Sequence, residues 1–266
     1  MTPRIATALL LVVLAGAAAA AVKLPANADA IAAAMRGERV IFLGEVHDNA
    51  AQHALRAAAL RMLVERGARP AIAFEQFDRS EQAAIDRARR ERGGDVDYLI
   101  AQAHGASSWN WDLYKPYLAL ALQYDLPIVA ANLSRSDAMK VALDADASRP
   151  DAVPPAMWRA QQEAIAEGHC KLLPDDALPG MARAQIARDR ALAAAILPYV
   201  QRGVVLLTGN EHARKDMGAP HWLSAPSKSI ALLEDDDDTA GFDAYVVTER
   251  AARPDPCEAL RQRMKR

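Results

Sequence analysis

The sequence lacks the features that mark several common classes of protein. Phe, Trp and Tyr make up 5% of its 266 residues and alanine is abundant, which favours a helix-rich protein over an all-β one. The formal net charge is −2, so no overall basic field points to a nucleic-acid partner. Beyond the N-terminus, no apolar run has the length of a membrane span. The length suits one large α/β domain or two small ones.

The long apolar run lies at the N-terminus. A positive residue, Arg4, precedes an apolar core and then the small residues 17–21, which offer an Ala-x-Ala cleavage site. This pattern is typical of a secretory signal peptide, so we expect residues 1–21 to be removed and the mature protein to be periplasmic or secreted. The alternative is a retained anchor, since residues 5–22 are about long enough to span a bilayer. A lipoprotein signal would need a cysteine where Ala17 stands.

Cysteine is scarce, with only Cys170 and Cys257 in the chain. In an oxidising compartment two cysteines most simply pair, so we expect a disulfide between them. It would tie the C-terminal tail to the loop after a helix and contribute about 3–5 kcal/mol of stability. The alternative is two unrelated buried thiols.

Apolar runs bounded by charged or turn residues alternate with segments of helical periodicity. The predicted strands are Val40–Leu43, Pro70–Glu75, Leu126–Ala130, Gly203–Leu207, Ser229–Leu233 and Phe242–Val247. This alternation predicts a single α/β domain over residues 22–266, with a mostly parallel central sheet flanked by helices. It allows an antiparallel pair formed by the last two strands, followed by a polar tail after Pro254.

Two of these strands end in the same Gly-x-x-His unit. The first comprises Gly44, Glu45, Val46 and His47, and the second Gly209, Asn210, Glu211 and His212. In each unit the glycine lets the backbone leave the strand in a conformation that other residues resist. Chemistry in open parallel sheets collects just past the carboxyl ends of strands. If both strands are central, the two histidines converge on one pocket.

A third strand ends in Glu75, which adds a carboxylate to this pocket. Two imidazoles and one or two carboxylates form a ligand set for Zn²⁺, Mn²⁺, Co²⁺ or Fe²⁺. The residues alone therefore favour a metal-dependent hydrolase in which His47, His212 and Glu75 bind the metal and Glu45 activates a water. The alternative is that these residues are caps, with Glu45 at a helix start and His212 bonded to a backbone carbonyl.

Five segments, in the same order along the chain, resemble the ChaN family, which is grouped with the haem-uptake and Tiki-like superfamily. They are residues 40–49 (VIFLGEVHDN), 74–77 (FEQF), 131–135 (ANLSR), 209–220 (GNEHARKDMGAP) and 255–257 (DPC). The resemblance covers nearly the whole mature chain. It implies an α/β domain that binds haem and serves iron uptake at the bacterial envelope. ChaN relatives are often lipoproteins, and this chain departs from them by lacking the lipid-bearing cysteine.

The wider superfamily implies metal-dependent hydrolases, peptidases among them, that use paired Gly-x-x-His motifs with glutamates. At the matching positions stand Glu45, His47, Glu75 and His212. A third interpretation is an exported α/β protein that keeps the pocket but binds another anion.

The haem interpretation needs an axial ligand and an apolar slot. No Cys-x-x-Cys-His motif is present, so covalent c-type attachment is excluded and the ligand must be histidine, tyrosine or methionine. The candidates are Tyr114, Tyr117 and His221 for the iron, Trp111 for the porphyrin face, and Arg135 and Arg214 for the propionates. Each aromatic residue has an alternative role in core packing. A homodimer formed around the ligand is a further expectation.

Overall fold

The structure is a computed structural model that describes residues 20–105, 108–144 and 148–264. The predicted signal peptide lies outside these residues except for its last two positions. The strands are β1 (Val22–Lys23), β2 (Val40–Glu45), β3 (Ala71–Asp78), β4 (Ile128–Asn132), β5 (Val204–Gly209), β6 (Lys228–Leu233) and β7 (Ala244–Val247). The α-helices are α1 (Ala28–Met35), α2 (Ala50–Glu65), α3 (Gln82–Glu91), α4 (Val96–Gln102), α5 (Trp111–Gln123), α6 (Arg135–Leu143), α7 (Pro155–Gly168), α8 (Leu178–Ile196), α9 (Asn210–Ala213) and α10 (Pro256–Met264).

The strands form one sheet in the order β1-β7-β6-β2-β5-β3-β4. Every strand pairing within the described ranges is parallel, which confirms the predicted α/β class. Strands β2 and β5 are buried along their whole length, as expected for parallel strands covered by helices on both faces. The two strands that carry the Gly-x-x-His units are therefore neighbours near the centre of the sheet.

The two faces of the sheet bury alternate residues of each strand. Ile41 and Leu43 of β2 belong to a core shared with α1, α2 and α5, whereas Val40 and Phe42 belong to a core shared with α8. This alternation follows from the two-residue period of a strand. Within the described part of the chain, no helix is long and apolar enough to cross a membrane.

The C-terminal region differs from the prediction in two ways. Strands β6 and β7 pair in parallel, so the antiparallel pair is wrong. The loop over residues 234–243 carries the chain back along the sheet, and β7 therefore starts at the same end as β6. The predicted polar tail also contains α10.

The predicted disulfide between Cys170 and Cys257 is present, with the two Cα atoms 5.6 Å apart. It joins the second residue after α7 to α10. The C-terminal helix is therefore covalently attached to the body of the protein.

Two helices begin at asparagine caps. Asn27 accepts a hydrogen bond from the backbone of Ala30 at the start of α1, and Asn49 accepts one from Gln52 at the start of α2. Each cap satisfies a backbone N–H that has no partner inside its helix. The cap at Asn49 fixes the point at which the chain turns from β2 into α2.

Candidate functional site

The carboxyl ends of β2, β5 and β3 lie side by side and bring the predicted site residues together. Glu45 at the end of β2 is in register with Gly209 at the end of β5. From β3, the Glu75 carboxylate accepts hydrogen bonds from the Thr208 hydroxyl at 2.6 Å and from the Gly209 backbone N–H at 2.8 Å. One buried carboxylate therefore joins the ends of β3 and β5, and β5 is itself paired with β2.

The first turn is built on the Glu45 carboxylate, which is fully buried. It forms an ion pair with Arg56 and accepts a hydrogen bond from the Tyr114 hydroxyl at 2.6 Å. The His53 Nε2 atom lies 3.1 Å from one of its oxygens and the His47 Nδ1 atom 3.1 Å from the other. Both oxygens contact neighbouring side chains, so Glu45 anchors the turn; its role as a general base stays a prediction.

His47 extends from this anchor towards the second turn. Its ring lies against Gly209, where an added Cβ would come within 2.8 Å of the ring. The edge of the same ring packs against Trp109 at a centroid distance of 4.9 Å. The side chain is 47% exposed, so the imidazole is accessible to solvent.

The second turn holds His212 in a buried position between two carboxylates. Its Nδ1 atom lies 2.6 Å from Asp189 of α8, and its Nε2 atom lies 3.6 Å from Glu75. The amide of Gln185 lies 3.2 Å from the same Nε2 atom. Burial lowers the pKa of His212, but Asp189 and Glu75 outweigh it and raise the pKa to about 9. His212 is therefore a cation at neutral pH.

The two carboxylates beside His212 respond in opposite ways to their surroundings. Burial raises the pKa of Asp189 to about 6, even though His212 opposes the shift. Burial also disfavours the charged form of Glu75, but His212, His47 and the hydrogen bonds from β5 outweigh it, and the pKa of Glu75 is lowered. Since both histidines act on Glu75, the two turns share one electrostatic environment.

The metal interpretation finds no support in this arrangement. Among the residues that the structure describes, no group of three His, Cys, Asp or Glu side chains could hold a metal ion. His212 is committed to its carboxylates, and one oxygen of Glu75 is committed to β5. The residues grouped by the sequence do lie together, but they form ion pairs and hydrogen bonds with one another. The hydrolase alternative is therefore not favoured.

A large cleft opens above this network between α6 and α8. Its volume is about 780 Å³, and Glu75 and His212 lie on its wall. Its remaining lining is mostly apolar and includes Ala138, Met139, Ala142, Leu143, Met181 and Ala184. Met139 and Leu143 are exposed, at 48% and 75%. The cleft therefore presents apolar surface that is open to a ligand.

A smaller polar cavity, the niche, adjoins the cleft on the other side of Glu75. It has a volume of about 210 Å³ and is lined by side chains that include Gln76, Asp78, His104, Trp109 and Asn132. Glu75, Arg135 and Arg188 line both cavities. The cleft and the niche therefore meet at these three side chains.

The predicted haem contacts are spread over different environments. Tyr114 and Tyr117 are fully buried, and their hydroxyls donate to Glu45 and to the His53 carbonyl. Burial raises the pKa of both phenols. Neither residue lines the cleft or the niche. In this structure both phenols support the first turn.

The remaining candidates also differ in position. Trp111 packs against Phe77 at a centroid distance of 4.9 Å, and His221 is exposed beside Trp222. Arg214 is held by Asp216 and Asp238. Of the six haem candidates, Arg135 alone lines the cleft. Their roles towards haem stay predictions.

The sequence reasoning missed three contributors from α8, namely Gln185, Arg188 and Asp189. They lie on consecutive turns of one face, and Asp189 is buried despite its charge. A polar cluster at three- and four-residue spacing was the available signal. It was obscured because the same helix carries several other arginines.

Comparison with known proteins identifies solved structures and a family that resemble this chain. The structure that shows cofacial haem binding to ChaN of Campylobacter jejuni superposes with a TM-score of 0.69 at 23% identity, covering 81% of this chain and 89% of that one. The type III effector HopBA1 gives a TM-score of 0.48 at 13% identity, covering 84% and 94% of the two chains. A search of curated proteins found no match. The family described as haem-binding uptake, Tiki superfamily, ChaN matches residues 31–223, and the chain belongs to that family.

Proposed function

We propose that this protein binds haem in the cleft between α6 and α8. The observation that carries the proposal is the cleft itself, because its volume of about 780 Å³ and its mostly apolar lining suit a flat apolar ring. Family membership supports the same ligand class. The exposed Met139 and Leu143 would gain shelter from water when a porphyrin covers them.

The residues present fit a haem in their chemistry. Small alanines on both helices leave room for the ring, and Met139 of α6 and Met181 of α8 line the opposite walls. Thioether sulfur is an established ligand of haem iron. His212 lines the wall as well, but its Nδ1 atom contacts Asp189 and its cationic form does not ligate iron. Bound haem would supply the iron, while the chain supplies the slot and the charges at its edge.

A hemin titration tests this proposal. We expect a shift of the Soret band that saturates at one site per cleft in the micromolar range. Ala184→Trp should abolish the shift because the indole would fill the cleft, whereas Ala194→Trp should leave it intact. Ala194 is exposed and lies on the same helix, but it lines a different cavity. Equal hemin binding by both variants would place haem elsewhere, and no Soret shift in the wild type would reject haem binding.

We also propose that the protein is exported to the bacterial envelope and serves iron uptake there. The signal-like residues 1–21 and the disulfide between Cys170 and Cys257 support export, because disulfides persist in oxidising compartments. Cell fractionation with N-terminal sequencing should find a processed protein that starts near residue 22. An unprocessed protein in the cytoplasm would contradict export. Sedimentation with and without hemin would test the predicted homodimer in the same preparation.

A further inference from the structure

We infer that Arg135 and Arg188 form a carboxylate-binding clamp at the junction of the cleft and the niche. A haem in the cleft would then be oriented with its propionates directed inwards to this junction. The inference rests on the proposed function and deepens it, because it names the chemical group that the protein selects. The ligand class becomes tetrapyrroles with free carboxylates.

The position of the two arginines is the first support for the clamp. Arg135 is the first residue of α6 and Arg188 lies on α8, so the two opposite walls of the cleft each contribute one guanidinium. Both side chains line the cleft and the niche at once. A carboxylate attached to a ring in the cleft would therefore meet both positive charges at the entrance to the niche.

Their free hydrogen-bonding capacity is the second support. Arg135 makes no ion pair with any carboxylate in the described ranges, and the hydrogen bond from Arg188 to the Asn132 side-chain oxygen is long, at 3.4 Å. Two other arginines are occupied. Arg214 is paired with Asp216 and Asp238, and Arg190 stacks on Trp222 at 4.2 Å. The clamp arginines are therefore available to a ligand.

The carboxylates around the junction do not neutralise this pair. Glu75 is satisfied by Thr208, Gly209 and His212. Asp78 and Glu81 line the niche, and among the described residues neither forms an ion pair with Arg135 or Arg188. Glu81 lies 3.0 Å from His104, and burial raises the pKa of Asp78 despite the opposing charge of Arg188. Asp176 also lines the cleft and is exposed. An incoming carboxylate would therefore find positive charge that the protein has not used.

The two cavities differ in chemistry, and each suits a different part of a haem. An apolar ring belongs against the alanines and methionines of the cleft, whereas an unpaired carboxylate there would lose its hydration without compensation. Guanidinium groups bind carboxylates through paired hydrogen bonds of suitable geometry. The niche adds the amides of Gln76 and Asn132, both more than nine-tenths buried. The geometry thus favours the ring in the cleft and the carboxylate edge at the junction.

Fluorescence titration with iron-free protoporphyrin IX and its dimethyl ester tests the clamp without any contribution from iron. We expect the wild type to bind the diacid about tenfold or more tightly than the diester, since charge-assisted bonds are lost on esterification. The double variant Arg135→Gln, Arg188→Gln should bind both compounds with the weak affinity that the wild type has for the diester. Arg190→Gln is the matched control on α8 and should keep the wild-type preference.

The outcomes separate this inference from the proposed function. Equal affinity of the wild type for diacid and diester would overturn the clamp, and so would a double variant that keeps the preference. If circular dichroism showed the double variant to be unfolded, the affinities of the wild type for the diacid and the diester would still test the clamp. Loss of the preference in Arg190→Gln would also overturn the assignment. Failure of the wild type to bind hemin would instead reject the proposed function.

Discussion

The two Gly-x-x-His turns share a spacing but have opposite environments. His47 is half exposed, and its ring lies on Gly209 across the boundary between the two strands. His212 is 8% exposed and is held between Asp189 and Glu75. In the first turn the buried charge is the carboxylate, Glu45, whereas in the second it is the imidazolium. The same motif therefore leaves one histidine accessible and makes the other a structural cation.

The difference follows from what packs over each turn. Helix α2 brings Arg56 and His53 to the first turn, so Glu45 is neutralised and His47 is not needed as a counter-ion. Helix α8 brings a carboxylate to the second turn, and only a protonated His212 can balance it. A short motif at a strand end thus acquires its role from the helix that covers it.

The largest effect is expected at the anchor of the first turn. Arg56→Met should lower the free energy of unfolding by about 3–5 kcal/mol, because it leaves the buried Glu45 carboxylate without its cation. Arg61→Met is the matched control on the same helix. The Arg61 side chain is 42% exposed, forms an ion pair with Glu65 and donates a hydrogen bond to the Gln123 side chain, so the change should cost about 0–1 kcal/mol. Similar losses in urea unfolding for both variants would show that Glu45 does not depend on Arg56.

The two glycines of the motif should differ in their tolerance of a methyl group. An added Cβ at Gly44 would lie 2.3 Å from the Asn210 side chain and 3.2 Å from its Cα atom. At Gly209 it would meet the His47 ring, which is half exposed and can move. We therefore expect Gly44→Ala to cost about 1–3 kcal/mol, and Gly209→Ala to cost less. Thermal unfolding measures both changes. A larger loss of stability in Gly209→Ala than in Gly44→Ala would contradict the contrast between a fixed turn and a mobile ring.

The dependence of stability on pH should have opposite signs in the two turns. Burial lowers the pKa of His53, beside Glu45, to about 4, so its contribution is present above pH 6.5 and is lost as the pH falls towards 4. The raised pKa of His212 makes its contribution complete below pH 6.5, and it is lost as the pH rises through about 9. In a plot of melting temperature against pH, His53→Gln should flatten the acid side and His212→Gln the alkaline side. Each kcal/mol of stability corresponds to about 2–4 °C in melting temperature. If both variants differed from the wild type on the same side of the pH profile, this assignment would be refuted.

The smallest effect is expected at the accessible histidine. His47→Ala should change the free energy of unfolding by no more than about 0.5 kcal/mol, because the side chain is half exposed and its partner Glu45 keeps Arg56, His53 and Tyr114. Urea unfolding measures the change, and His47→Gln serves as the conservative control. A loss of several kcal/mol would mean that both turns use their histidines as structural ions.

The sequence contained enough information to locate the strands and the two turns. Apolar runs that end in glycine predict buried strands with functional ends, and parallel pairing places those ends on one edge. The partners of the turns could not be predicted because they come from helices far away in the chain. Asp189 appears in the sequence as one charge among several on α8, and its burial depends on how that helix packs. The cleft depends in the same way on the spacing between α6 and α8.

Tyr114 shows a second limit of sequence reasoning. An aromatic cluster in a chain poor in aromatics suggests ligand contacts, yet the phenol is buried and donates to Glu45. The same composition suits a ligand site and the interior beside a buried carboxylate. Only the rotation of α5 about its axis decides between them, and helical periodicity does not specify which neighbour a face meets.

The disulfide gives the chain a closed covalent ring that runs from Cys170 to Cys257. The ring contains α8, the second turn and the loop over residues 234–243, whereas the first turn and α6 lie outside it. A protease cut in the loop over residues 234–238 would therefore leave both fragments joined as long as the bond is oxidised. Reduction and cutting together, but neither alone, would remove every covalent link between the segment that contains β7 and α10 and the rest of the chain, whereas both walls of the cleft would stay on one fragment.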